Sequence, residues 1–285
     1  MANPAVTDSP NPPLYIVYQP VLRMHRSHAT VHAYESLLRV GPNAEDHSTF
    51  SVISNAEQNG TMPMLDAMIA KQVCTDAARA HDMRLWINLS QRTLSSPDAT
   101  IAIAELIEEH NLACRITVEM TETADGTEQL INESLRWFKS RQITVVIDDI
   151  DDGHSKSHLL RSELIAGCKL SRRSTVRLSQ EPGFVDTAGK LIQWCKANGK
   201  TVVMEGIENE AEFTLARQLG ADYCQGFYFW PPIPLEEVPA PGARFLTPSP
   251  PPASFAKHFR PTYLNTTGQY AFASRPDSLR AASEA

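Results

Sequence analysis

The amino-acid sequence predicts an α/β fold, a TIM-like (β/α)8 barrel, and three features point there. Strand-like and helix-like segments alternate at a spacing of roughly thirty residues, the rhythm of βα units. The strand-like runs are apolar on both faces, which suits a parallel sheet covered by helices. Counting an opening hairpin, the runs are numerous enough to close a barrel, which favours closure over an open doubly wound sheet.

The body opens with YIVYQPVL (15–22) and VHAYESLL (31–38), two strand-like runs joined by a short polar link and read as a hairpin. An amphipathic helix follows over 64–81, then the strand RLWINLS (84–90) and a helix over 98–110. CRITVEM (114–120) is the next strand, with a helix over 127–141 and the strand ITVVIDD (143–149) behind it. The later strands AGCKLS (166–171), TVVMEGI (201–207) and YCQGFYF (223–229) are separated by helices over 184–199 and 209–220. Trp86, Trp137, Trp194, Met62, Met64 and Met68 read as core or helix-packing residues.

The two ends differ from this body. Residues 1–13 carry four prolines, and from Pro239 to the end the chain becomes proline-rich and then mixed polar, compositions that bury too little surface to offset ordering entropy. Both are expected to be disordered or mobile arms, leaving 14–238 as the domain. Phe255, Phe259, Tyr263, Tyr270 and Phe272 suit docking of part of the C-terminal tail on the domain or on a protein partner.

Composition excludes several classes. A formal charge of -7 argues against the broad basic surface that would hold polymeric nucleic acid. The five cysteines (Cys74, Cys114, Cys168, Cys195, Cys224) are odd in number, widely spaced and set in apolar segments, so they read as reduced core thiols rather than disulfides or zinc ligands. Neither a signal peptide nor an apolar run of membrane-spanning length can be placed. A soluble, cytoplasmic protein without a membrane partner is expected.

Polar residues recur where the apolar strands stop: Glu35, Asn88, Glu119, Asp148 with Asp149, Lys169, Glu205 and Gln225. Taken alone, an acid or Asn at such a place suits a turn or a helix N-cap. Recurrence at the same end of strand after strand is what caps do not explain, because in a barrel those ends converge on one mouth. Carboxylates held so close repel and raise one another's pKa unless a cation neutralises them. Hard oxygen donors suit Mg2+ or Mn2+, and a shared aspartate can bridge two ions. The run DDIDDG is not an EF-hand loop, since Ile150 interrupts the oxygen alternation. His154 and His158, four apart, read as loop histidines rather than ligands, and Asp151, Asp152 and Lys156 as loop charges.

At these residues the sequence resembles the EAL-domain family of bacterial cyclic-di-GMP phosphodiesterases. The likeness spans about 15–238, with YQP (18–20), ESLLR (35–39), INLS (87–90), VEMTET (118–123), VVIDD (145–149), CKLS (168–171), MEGIE (204–208) and LGADYCQGFYF (219–229) in the family's order. The resemblance implies a barrel with an antiparallel first strand, frequent homodimers, and hydrolysis of cyclic-di-GMP to linear 5'-pGpG with two Mg2+ or Mn2+ ions per site. By the same likeness Glu35, Asn88, Glu119 and Asp148 hold one ion, and Asp148, Asp149 and Glu205 the other. Glu205 helps take the proton, Lys169 steadies the water or phosphate charge, and Gln225 orients the nucleophile. Gln19, Leu37 and Arg39 match ligand-contacting positions, and Glu122 matches the residue that braces the metal loop.

Three departures stand out. Ser36 replaces the alanine of the EAL signature, Ile150 and Asp151 rewrite the loop after the aspartate pair, and Ser171 replaces an aspartate. They keep open a rival reading, a weak or inactive EAL module that senses cyclic-di-GMP or binds a protein. A general nuclease, a third possibility from the chemistry alone, is disfavoured by the acidic net charge.

Overall fold

A computed structural model of the 285-residue chain describes residues 13–41, 46–121, 126–150, 157–245, 263–264 and 270–271. Strands β1 (Leu14–Met24) and β2 (Ala29–Val40) form the expected hairpin and are longer than expected, because Val, Ile, Tyr and Leu alternate through both. Helices α1 (Asp46–Gln58) and α2 (Met62–Arg79) lead to β3 (Leu85–Leu89), and α3 (Gln91–Leu94) with α4 (Pro97–Glu109) to β4 (Ile116–Met120). Next come α5 (Glu128–Ser140), β5 (Thr144–Ile147), α6 (Ser157–Leu160) and β6 (Gly167–Leu170). The last turn of the barrel is α7 (Arg172–Gln180), α8 (Pro182–Ala197), β7 (Thr201–Met204), α9 (Glu210–Leu219), β8 (Tyr223–Cys224) and β9 (Arg244–Phe245). In the segment after Pro252, β10 (Tyr263–Leu264) and β11 (Tyr270–Ala271) pair as a small antiparallel hairpin.

The strands close a barrel in the order β1-β8-β7-β6-β5-β4-β3-β2, with β1 also paired to β2. Pairs from β2–β3 round to β7–β8 are parallel, while β1 is antiparallel to both neighbours. A hairpin with no crossover helix makes β1 run backwards, since parallel neighbours need a long connection. The core is the shell between strands and helices, with Ile87, Val118, Ile147, Cys168 and Met204 wholly buried against Leu94, Ile107, Leu135 and Ile192. A second cluster, Val21, Ala33, Trp86 and Val203 with Tyr223, fills the barrel interior.

Several expectations are corrected. YCQGFYF is a strand only at Tyr223–Cys224. Beyond it the chain folds onto the end of β7, where Ile207 N donates to Gln225 O (3.0 Å) and Tyr228 N to Ile207 O (2.9 Å). A Cβ at Gly226 would lie 2.1 Å from Ile207 O, so only glycine permits that approach. The polar helix α7 was not expected, having few apolar residues to set a period. Met62 is buried as expected, but Met64 and Met68 are exposed, and so is Cys114. Residues 239–245, expected in the tail, join the body. Gly242 N donates to Val31 O (2.8 Å), Val31 N to Ala243 O (2.9 Å), and Phe245 is buried against Phe229 with ring centroids 4.8 Å apart. No helix among the described residues is long and apolar enough to cross a membrane.

Candidate metal centre

Side chains alternate faces along a strand, so the polar residues two apart from interior apolar ones all turn inward. Gln19 on β1 is opposite Glu35 on β2, and Asn88 on β3 is opposite Glu119 on β4. Lys169 lies on β6, while Asp148, Glu205 and Gln225 sit just past β5, β7 and β8. These are the C-terminal ends of the parallel strands, and the expected residues meet there.

Lys169 is the hub. Its Nζ is 2.6 Å from Glu205 Oε1, 3.0 Å from Glu119 Oε2, 3.2 Å from Asp148 Oδ1 and 3.4 Å from Glu35 Oε2, with the lysine wholly buried. Glu35 also receives Gln225 Nε2 at 2.6 Å and Asn88 Nδ2 at 3.2 Å. Gln225 Nε2 donates as well to Gln19 Oε1 (2.9 Å), and Gln19 Nε2 to Trp230 O (3.0 Å). Gln19 is thereby engaged within the protein at both ends of its amide.

Asp148, Asp149 and Glu205 place carboxylate oxygens within 4.8 Å of one another. Adjacent residues of an extended strand would point apart, but Asp149 adopts a left-handed φ of 50°, which breaks the alternation. Asp149 is exposed at the lip and Asp148 half-buried below it. On β2 the same face continues from Glu35 to Leu37 and Arg39, both half-buried, and Arg39 Nη1 donates to Leu38 O at 2.8 Å. Glu122, Asp151, Asp152, His154 and Lys156 lie outside the described residues. His158 is on α6, 3.4 Å from Glu128 and away from the cluster.

The electrostatics follow from crowding. Burial drives the Glu119 carboxyl well above the ordinary range, and Glu35 adds to it. Burial likewise raises Glu205, opposed by Lys169 and reinforced by Asp148 and Asp149. Burial would raise Glu35 too, yet Lys169 and the Gln225 and Asn88 donors hold it below its usual value. For Lys169 burial works against the charge, and the surrounding carboxylates outweigh it, so the ammonium is retained. One ammonium faces four carboxyl groups, and Asp149 adds a fifth beside Asp148 and Glu205. Glu119 Oε1 is buried with no hydrogen-bond partner, and every donor in the set is a hard oxygen. A divalent cation supplies what that set lacks, so the residues fit Mg2+ or Mn2+.

Supporting residues were not all visible in the sequence. Asp66 on α2 is buried and accepts from Ser90 N (2.9 Å) and Thr93 Oγ1 (2.5 Å), fixing the end of β3 that carries Asn88. An acid on the apolar side of a helical pattern, beside Leu65, Ile69 and Ala70, is a signal that could have found it. Thr175 Oγ1 donates to Glu205 O (2.6 Å), and Arg172 donates to Gly206 O, Glu208 and Glu212. No sequence pattern marks those two. The departures at described residues are accommodated locally: Ser36 Oγ donates to Trp86 O (2.6 Å), Ile150 is buried, and Ser171 caps α7 by accepting from Ser174 N (3.3 Å).

The family model described as EAL domain matches residues 9–232. The chain is 28% identical over 229 residues to the signaling protein YkoW of Bacillus subtilis, covering 77% of this chain and 28% of that protein. It is 26% identical over 231 residues to the cyclic di-GMP phosphodiesterase PdeR of Escherichia coli, covering 79% and 34%. The chain thus spans about a third or less of the length of these curated relatives. Among solved structures it resembles the EAL enzyme Bd1971 in its cAMP- and cyclic-di-GMP-bound form, with a TM-score of 0.71 at 24% identity over 78% of this chain and 63% of that one. It also resembles BlrP1 of Klebsiella pneumoniae in a manganese and cyclic-di-GMP complex, with a TM-score of 0.66 at 20% identity over 81% and 58%. With more than half its length matched by that model and the same barrel in its structural neighbours, the chain belongs to the EAL domain family.

Proposed function

We propose that the chain is a cyclic-di-GMP phosphodiesterase that opens its substrate to linear 5'-pGpG at a site for two Mg2+ or Mn2+ ions. The observation that carries this reading is the convergence of Glu35, Glu119, Asp148 and Glu205 within 3.4 Å of one buried Lys169 Nζ, with Asp149 beside them. Glu35, Asn88, Glu119 and Asp148 would hold one ion, and Asp148, Asp149 and Glu205 the other. Bound there, such ions offset the carboxylate charge, acidify water and neutralise phosphate.

The chain's own groups do the rest. Glu205, whose carboxyl is raised by burial, is suited to take up the proton of the attacking water. Lys169 presents its ammonium to charge developing on the phosphate. Gln225 spends its amide N–H on Glu35 and Gln19, leaving Oε1 buried without a donor and available to orient a hydroxyl. Gln19 acts by holding Gln225, Leu37 and Arg39 contact the dinucleotide along the continuing face of β2, and Glu122 braces the loop after the aspartates. The protein works as a homodimer in the cytoplasm, with the segment after Phe245 offering contacts to a protein partner.

A sensor reading has one observation in its favour: Lys169 Nζ lies within 3.4 Å of four of the carboxylates and offsets part of their charge. Incubation of the purified chain with cyclic-di-GMP and Mg2+ or Mn2+, followed by chromatography for pGpG, tests the proposal. Turnover is expected with at least one ion. Binding without turnover under both would overturn it in favour of the sensor.

A further inference from the structure

The opposite end of the barrel carries the opposite charge. Arg23, near the end of β1, is paired across the sheet with Tyr223 of β8 on one side and Thr30 of β2 on the other, and Thr30 is paired with Arg244 of β9. Directly opposed residues share a face, so these four side chains form one row across four strands. At about 4.8 Å per strand, Arg23 and Arg244 stand about 10 Å apart. The His32 ring, at the bulge of the same hairpin, lies 4.7 Å from that of Tyr223, and Tyr223 meets Trp86 edge-on at 6.4 Å. Arg84 precedes Trp86 by two residues and continues its inward face below the interior cluster. Arg26 adds a fourth guanidinium on the turn closed by His25 N and His28 O (2.9 Å).

Arg23, Arg26, Arg84 and Arg244 are all exposed, and none is in an ion pair among the described residues. Among the described residues, Asp82 is next but one to Arg84 in the chain, and Asp222 Oδ2 already accepts from Val202 N at 2.9 Å. Four exposed arginines gathered at one end of a chain whose formal charge is -7 are a local departure from the molecule's overall sign. The carboxylate cluster is not involved: Gln19 and Arg23 are four residues apart on β1, about 13 Å of strand.

We propose that this end of the barrel is a docking surface for an acidic segment of a partner polypeptide. Guanidinium groups spaced over about 10 Å match successive carboxylates of an extended chain, which they grip by forked hydrogen bonds. The Tyr223 and His32 rings give that segment's aliphatic stems an apolar floor. A long polyanion is disfavoured, because beyond the row it meets a negatively charged body, whereas a short segment stays within a screening length of the arginines. This proposal is independent of the phosphodiesterase reading.

The test uses the full chain, a fluorescein-labelled decaglutamate peptide and a labelled decathymidine oligonucleotide as probes, and fluorescence anisotropy at low and high salt. Saturable, salt-weakened binding of the peptide is expected, tighter than that of the oligonucleotide. The triple variant Arg23→Glu, Arg84→Glu, Arg244→Glu is expected to weaken it at least about tenfold. If the triple variant does not fold, the milder pair Arg84→Gln, Arg244→Gln is expected to weaken it several-fold with an unchanged circular dichroism spectrum. No peptide binding, binding indifferent to either folded variant, or tighter binding of the oligonucleotide would each overturn the proposal.

Discussion

Lys169 is enclosed by four carboxylates at 2.6–3.4 Å with almost no water contact, so its ammonium and their charges are one unit. Removing one partner from such a buried set leaves uncompensated charge, at about 3–5 kcal/mol. In Lys169→Met the orphaned carboxyl groups take up protons at low pH and cannot do so at high pH. The loss of stability in metal-free protein should therefore be larger above neutrality than below about pH 5, and excess Mg2+ should recover part of it. Turnover of cyclic-di-GMP should fall by about a hundredfold or more. Melting curves with and without Mg2+ and a pGpG assay read both effects; a variant that melts like wild type at every pH would refute the coupling.

Helix α2 shows how an element outside the site governs it. Asp66 pins Ser90 and Thr93 just beyond β3, and through that contact the height of Asn88 in the barrel. Burial pushes the Asp66 carboxyl up to about 6, against the opposing pull of the Thr93 and Ser90 donors. An acid raised in the folded state contributes stability that is fully present below its unfolded value, about 3.9, and lost as pH rises through the folded one. Between about pH 4 and pH 7 the wild type should lose roughly 2–3 kcal/mol relative to Asp66→Asn. Urea unfolding of both proteins across that range measures it, and parallel pH profiles would show that Asp66 stays ionised throughout. Ser171 makes a related point on α7: serine accepts the cap hydrogen bond there as an aspartate would, so its substitution leaves the helix start intact.

At the scale of the molecule, the barrel separates charge, with carboxylates at the C-terminal strand ends and exposed arginines at the other mouth. The closure of the body by β9 is also a whole-molecule property. β9 closes over the start of β2, and Phe245 packs its ring against Phe229, Tyr228 and Trp230. A chain ending at Val238 loses that burial and the Gly242 and Ala243 hydrogen bonds to Val31, and should be less stable by about 3 kcal/mol than one ending at Phe245. Equal urea midpoints for the two truncations would show that β9 contributes nothing.

The sequence by itself determined the barrel, its βα rhythm and the residues of the candidate centre, because hydrophobic period is local and the polar residues Glu35, Asn88, Glu119, Asp148 and Glu205 interrupt apolar runs at one repeating place. It also carried the family motifs in order. What only the tertiary structure decided were contacts between residues far apart in the chain: Lys169 as the shared counter-charge, the left-handed Asp149, Asp66 under Ser90, Thr175 and Arg172 behind Glu205, and the row from Tyr223 to Arg244. Those depend on strand register and on how the barrel closes, and closure pairs β1 with β8 across some two hundred residues that no local pattern spans.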